Sequence, residues 1–320
     1  MKKFITRFLL FILIPVPFLL ILSGVVDSGL KKSRNFYYAE WNDIFSGKVN
    51  ADLIILGTSK AWVQFSPRIL DSALNLNTYN LGLDGASFMS QQERFKIYLR
   101  TNKKPKYIIQ EVGPSATFLN SNAPPANAQF YPYLQDSSIW RIYQNYLVPG
   151  GPLPTGFMMR YFPLYKYNNQ LPLIKEGLLA YVGKGEKATK YKGYEGKLLP
   201  FVSSFDTLNK SSKNTAPCRI DSESVYAFRN FVKFCSDNDI KVFLVETPNY
   251  KALYPFLQKY DQFEKIVGDI SKQYNVPFLN YSKDSLSYHR DYYYNFTHLN
   301  KTGSELFSRE VARDIKPFIK

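Results

Sequence analysis

Cysteine and histidine are scarce in this chain. Its 320 residues hold two of each: Cys218 and Cys235, His289 and His298. That excludes a disulfide-built scaffold. Neither cysteine has metal-ligating neighbours at zinc-site spacing, so no metal is expected, and no cofactor. The two cysteines either pair outside the cytoplasm or leave Cys235, on the apolar face of a predicted helix, as a buried thiol. Acidic residues are also few. Lys and Arg number 41 against 26 Asp and Glu, a formal charge of +15. A surface so basic attracts anionic lipid headgroups, acidic glycans or nucleic acid. No zinc-finger spacing or other nucleic-acid motif is present, and nucleic acid is set aside as a partner.

Charge is missing altogether from Phe8 to Val26, behind the basic Lys2, Lys3 and Arg7. A run of that length spans a bilayer as a helix. The basic flank places the rest of the chain on the outer face. No small-x-small cleavage site follows it, so a retained single-pass anchor over 1–27 is expected rather than a cleaved signal peptide. Residues 28–50, with FYYAEWNDIFSG, read as an amphipathic juxtamembrane helix.

The chain as a whole has a globular composition, 45% hydrophobic and 21% charged. Leu53–Leu56, Thr78–Leu83, Lys106–Val112, Ile240–Glu246 and Val276–Tyr281 read as buried strands, with helical patterns between them. This β/α alternation predicts an α/β domain from 51–117 and 216–320. Residues 118–215 break the rhythm with Pro-Pro, Gly-Gly-Pro and Lys/Tyr-rich stretches, and read as an aromatic insertion.

The stretch ADLIILGTSKAWVQFS, Ala51 to Ser66, delivers Ser59 just past the end of a buried strand. Open α/β sheets place their ligands there. A serine nucleophile needs a base, and imidazole is the usual one near neutral pH. His298, in the loop YYYNFTHLNKTG, is the candidate; His289 is its rival. Thr247 and Asn249, after Ile240–Glu246, fall on the same sheet edge and are candidates to line the pocket.

Gly57-Thr58-Ser59, Asn80-Leu81-Gly82, and Thr297-His298-Leu299-Asn300 with Gly303 resemble, in that order, the SGNH (GDSL-like) hydrolase superfamily. The likeness is to its membrane-anchored members that modify envelope polymers: the D-alanylation protein of teichoic-acid synthesis and the alginate and peptidoglycan O-acetylation proteins. It covers about residues 50–115 and 220–320. The resemblance implies a three-layer α/β/α sandwich with a central parallel sheet, of flavodoxin-like type. It also implies that Gly82, or less readily Gly85, donates its N–H to an oxyanion hole.

Two positions depart from the family pattern. Gly113-Pro114-Ser115 stands where a Gly-x-Asn is expected, which leaves Ser115 or Gln110 to replace the missing asparagine donor. Asn295 stands where an aspartate normally orients the histidine, with Asp284 and Asp291 as other candidate acids. The function the resemblance implies is that of an extracytoplasmic serine esterase or O-acyltransferase. Its substrates would be acyl esters of an envelope polysaccharide, and its partner a membrane-bound O-acyltransferase. The two departures keep open an alternative, a domain that binds glycan or scaffolds such a complex without chemistry. A lipid esterase is a third reading.

Overall fold

A computed structural model describes residues 3–4, 13, 15–114, 117–118, 127–144, 155–202 and 220–320. In chain order the helices and strands are α1 (Pro15–Leu30), α2 (Ala39–Phe45), β1 (Leu53–Leu56), α3 (Ser59–Gln64), α4 (Pro67–Leu74), β2 (Thr78–Asn80), α5 (Phe88–Thr101) and β3 (Tyr107–Val112). They continue with α6 (Ser137–Gln144), α7 (Thr155–Tyr161), α8 (Leu171–Tyr181), α9 (Ser222–Asp237), β4 (Lys241–Glu246), α10 (Tyr260–Tyr274), β5 (Phe278–Asn280) and α11 (Lys301–Ile315). Contacts divide the chain into two units. One comprises 1–43 and 126–189, the other 44–125 and 190–320.

The larger unit is an α/β domain around a five-stranded sheet of order β2-β1-β3-β4-β5, parallel throughout. β1 and β3 are buried along their whole length. This explains why the sequence shows near-continuous apolar runs there instead of polar alternation. Leu53, Ile55, Ile109, Phe243 and Val245 face one helical layer, where they pack with Phe65, Leu70, Phe307 and Val311. In the other layer Phe88 and Phe95 of α5 meet Phe228 and Phe231 of α9 edge to face, with centroids 5.0–5.9 Å apart. Because every strand runs the same way, all five deliver their carboxyl ends to one edge. In this strand order that edge is where a ligand crevice opens.

The stretch expected as one insertion, 118–215, divides between the units. Residues 190–197 belong with the sheet. Asn80 N–H donates to the Lys192 carbonyl (2.9 Å) and Lys192 pairs with Asp71 (2.6 Å). Gly193 lies so close to β2 that a Cβ there would sit 1.9 Å from the Asn80 carbonyl oxygen. This segment covers an otherwise open strand edge.

In the smaller unit α1 crosses α8 at two glycines. A Cβ on Gly29 would lie 1.7 Å from the Gly177 carbonyl oxygen. Asp27 accepts from Lys166 Nζ (2.7 Å) and from the Tyr167 hydroxyl (2.5 Å). The expected juxtamembrane helix is reduced to the seven residues of α2. Asn35 ends the preceding chain in a turn, with its side-chain oxygen on the Tyr37 N–H and its carbonyl on the N–H groups of Tyr38 and Ala39. Among the described residues no helix is long and apolar enough to cross a membrane. Of the expected anchor, residues 1–2, 5–12 and 14 lie outside the described residues. Cys235 is a free, fully buried thiol, and burial pushes its pKa up to about 12. Cys218 lies outside the described residues.

Candidate active site

β1 ends at Gly57, whose φ is 149°. A Cβ there would lie 2.6 Å from the Cβ atoms of both Ala61 and Glu111. Glycine is therefore required for the chain to turn from strand directly into α3. Thr58 caps that helix, accepting at its hydroxyl from the Lys60 N–H (3.3 Å). Glu111, at the end of neighbouring β3, holds the cap in place. Its Oε2 accepts from the Thr58 N–H (2.9 Å) and from the Thr58 hydroxyl (3.0 Å). Ser59 follows as the first helical residue and is partly exposed. Its amide belongs to the first turn, where N–H groups have no intrahelical acceptor.

His298 arrives from the far end of the chain, in the loop between β5 and α11. Asn300 caps α11 through the Gly303 N–H (3.0 Å). Two side chains, Gln64 and Ser308, tie this loop and helix to the nucleophile. Gln64 Nε2 donates to the Thr297 carbonyl (3.2 Å), and the Ser66 N–H donates to Ser308 Oγ (2.8 Å), whose own proton goes to the Ser304 carbonyl (2.7 Å). The Tyr294 ring stacks on the imidazole at 5.4 Å, 10° from parallel.

The result is a contact between residues 239 positions apart: His298 Nε2 lies 2.8 Å from Ser59 Oγ. The other ring nitrogen, Nδ1, lies 3.0 Å from Asn295 Oδ1 and 2.9 Å from Thr297 Oγ1. Asn295 Oδ1 also accepts the backbone N–H groups of Thr297 and His298, both at 2.9 Å. Backbone N–H groups can only donate, so the amide oxygen must face them. The ring nitrogen facing that oxygen then carries the proton. Nε2 is left with its lone pair toward the serine, as a general base requires.

Burial pushes the His298 pKa from 6.5 down to about 4, and the nearby Lys60 ammonium pushes the same way. Lys60 is itself buried. Burial lowers its pKa, against the pull of Glu111 and Glu246. Burial raises Glu246 to about 7, opposed first by a hydrogen bond from the Tyr260 hydroxyl (2.8 Å) and then by Lys60. The base is therefore uncharged through neutral and mildly acidic pH.

Ser59, His298 and Asn295 are thus brought together. Gly82 is not open as an oxyanion donor: its N–H is given to Asn80 Oδ1 (2.9 Å). The glycine serves a close approach instead, since a Cβ would lie 2.4 Å from the Trp62 nitrogen. Asn80 is itself engaged, donating through Nδ2 to the carbonyls of Ala61 (2.7 Å) and Phe65 (3.0 Å). Gly85 has a φ of 64°. Gln110 Nε2 donates to Gln91 Oε1 (3.0 Å) and to the Glu111 carbonyl (2.9 Å). Thr247 and Asn249 are fully buried at the end of β4, with Thr247 Oγ1 and Asn249 Oδ1 without a hydrogen bond. Ser115 lies outside the described residues. Asp284 caps the Leu286 N–H (2.7 Å), Asp291 is exposed, and His289 is exposed against Tyr292. None of the three hydrogen-bonds Ser59 or His298.

Sequence reasoning missed Glu111, Lys60, Gln64, Thr297 and Tyr294. Glu111 was detectable as a lone carboxylate on an otherwise apolar strand, a placement that demands a partner. Among the described residues no group of His, Cys, Asp and Glu could hold a metal ion.

No protein-family model matches this chain, and no curated protein does. Among solved structures, the chain is similar to a Bacteroides fragilis protein provisionally assigned as an acylhydrolase. The identity is 11%, over 84% of this chain and 88% of that one, with a TM-score of 0.39. So distant a likeness does not carry the chemistry; the side-chain geometry does.

Proposed function

We propose that this chain is a serine acylesterase or O-acyltransferase. The observation that carries the proposal is the 2.8 Å contact between Ser59 Oγ and His298 Nε2, with the ring proton held on the opposite nitrogen by Asn295. In this scheme Ser59 Oγ attacks an acyl ester carbonyl and its proton passes to Nε2. The tetrahedral oxyanion rests on the Ser59 amide. The imidazolium returns the proton to the departing alcohol oxygen. Water or an acceptor hydroxyl then repeats the sequence in reverse and frees the serine. The imidazolium formed midway has only an amide oxygen and a hydroxyl beside Nδ1, so this intermediate gains no ionic support there.

The finer proposal is that the esters are acyl, most simply acetyl, groups on an envelope polysaccharide. A membrane-bound O-acyltransferase would be the partner and residues 1–27 a single-pass anchor, with the domain outside the cytoplasm. The motif resemblance supports it, as does the charge of +15, which suits an anionic glycan.

The engaged Gly82 N–H and the uncharged Asn295 favour a second reading, a glycan-binding or scaffolding domain without turnover. The discriminating experiment is p-nitrophenyl acetate hydrolysis by the protein beside Ser59→Ala and His298→Ala, with a serine-directed phosphonate as a probe. The enzyme reading expects each substitution to lower turnover by on the order of a thousandfold or more, and the phosphonate to label Ser59. Equal, background rates in all three proteins, with no labelling, would establish the binding reading instead.

A further inference from the structure

Helix α1 is packed for only half its length. From Pro15 to Ile21 every residue is exposed and none is charged; further on Val26, Gly29 and Leu30 are buried, with Val26 and Gly29 against Gly177 of α8. The changeover comes at Ser23, whose hydroxyl accepts the Leu164 N–H (3.4 Å). Around Leu164, in the same unit, exposed aromatic residues gather. Phe157 and Phe162 are each 54% exposed, with Tyr161 and Tyr165 beside them, and Leu171 at the start of α8 is 74% exposed. Phe157 and Tyr161 lie against each other, centroids 5.0 Å apart. About half of each of Phe157, Tyr161 and Phe162 stays in solvent, although burial is the ordinary use of aromatic surface.

Arg160 stacks on Tyr161 among these aromatics (5.5 Å), and exposed lysines follow just past the end of α1. Lys31 and Lys32 stand eight and nine residues past Ser23, about 12 Å along a helix axis. Lys175, Lys184 and Lys187 are exposed as well, against a single exposed carboxylate, Glu186, among the described residues of the unit. An apolar rod, a cluster of exposed Phe and Tyr beside the point where it enters the fold, and lysines beyond it match the layering of a bilayer: hydrocarbon, interface, anionic headgroups.

We propose that the 155–187 region is a membrane-docking collar. Phe157, Phe162 and Leu171 would enter the interface of an anionic bilayer beside the stem, and the lysines would meet lipid phosphates. This rests on the proposed anchor and goes beyond it. An anchor alone needs one helix, whereas a collar fixes the whole smaller unit against the lipid surface.

The test reconstitutes the full chain, carrying Cys218→Ser, into phosphatidylethanolamine vesicles containing phosphatidylglycerol. An environment-sensitive fluorophore is placed in turn at Phe162→Cys, Leu171→Cys, Leu20→Cys and Tyr226→Cys. Each variant is checked by far-UV circular dichroism, and Leu171 covers the case in which Phe162→Cys does not fold. The expected result is several-fold stronger quenching by nitroxide-labelled lipid than by aqueous iodide at 162, 171 and 20, with the reverse at 226. Iodide quenching at 162 and 171 with lipid quenching at 20 would overturn the collar and leave the anchor standing. Iodide quenching at all four positions would overturn both. Protection of 162 and 171 from both quenchers would show a protein covering this face, a second copy included, and would also overturn the bilayer proposal.

Discussion

An amide oxygen at 3.0 Å keeps the proton of His298 on Nδ1, but it brings no charge to offset the imidazolium that the proposed turnover would form. Burial and Lys60 already hold the ring pKa near 4. Base catalysis needs the neutral ring, so kcat/KM should stay flat as pH falls through 6 and drop only near pH 4; a pH–rate profile measures this directly. Asn295→Asp puts a carboxylate 3 Å from the ring and should raise that acidic limb by about 1–2 pH units. A limb already at pH 6 to 7 in the unmodified protein would mean that burial does not govern the base. Lys60→Met should move the limb upward too, since it removes the neighbouring positive charge.

The strand-to-helix turn from β1 into α3 sets the position of Ser59, and two of its parts are separable by mutation. Gly57→Ala introduces a methyl group into a 2.6 Å space at a φ that disfavours it. It should destabilise the fold by about 1–3 kcal/mol, read from a urea midpoint. Glu111→Ala removes the acceptor of two Thr58 hydrogen bonds. It should lower kcat by up to about a hundredfold with little change in KM, because the nucleophile shifts rather than the pocket. Glu111→Gln keeps an acceptor and should recover most of the loss. Much at this level was legible in the sequence. The apolar runs at Leu53–Leu56 and Ile240–Glu246 read directly as parallel strands, and Ser59 and His298 as strand-end and loop residues. Helix α3 was not legible. Ser59–Gln64, SKAWVQ, carries no apolar periodicity, and the Gly-Thr-Ser that leads into it reads as a simple turn. Gly82 was misread for a local reason. An asparagine two residues before a glycine captures its N–H in an Asx turn, and Asn80 does so here. Tethers such as Gln64 to Thr297 join residues 233 positions apart and leave no pattern in the chain.

At the scale of the molecule, two buried groups set opposing pH responses of stability. His298 is lowered by burial, so its contribution is lost as pH falls from 6.5 through 4. Glu246 is raised by burial, so its contribution is full below 4.5 and is lost as pH rises through about 7. Glu246→Gln removes the second response while keeping an acceptor for Tyr260. Its urea midpoint relative to the unmodified protein should therefore climb between about pH 4.5 and pH 7 and level off above that; a constant difference would contradict the buried carboxylate. The pairing of Ser59 with His298 has a further consequence, for biogenesis. The nucleophile is made with the first strand and the base after the last, so the 2.8 Å contact forms only once β5 is in the sheet and α11 is docked. A pairing this distant in sequence is slow to close. A chain still emerging from the ribosome, or threading through a membrane, therefore carries a serine with no base beside it. In the proposed enzyme, reactivity toward esters is switched on by the completion of folding itself.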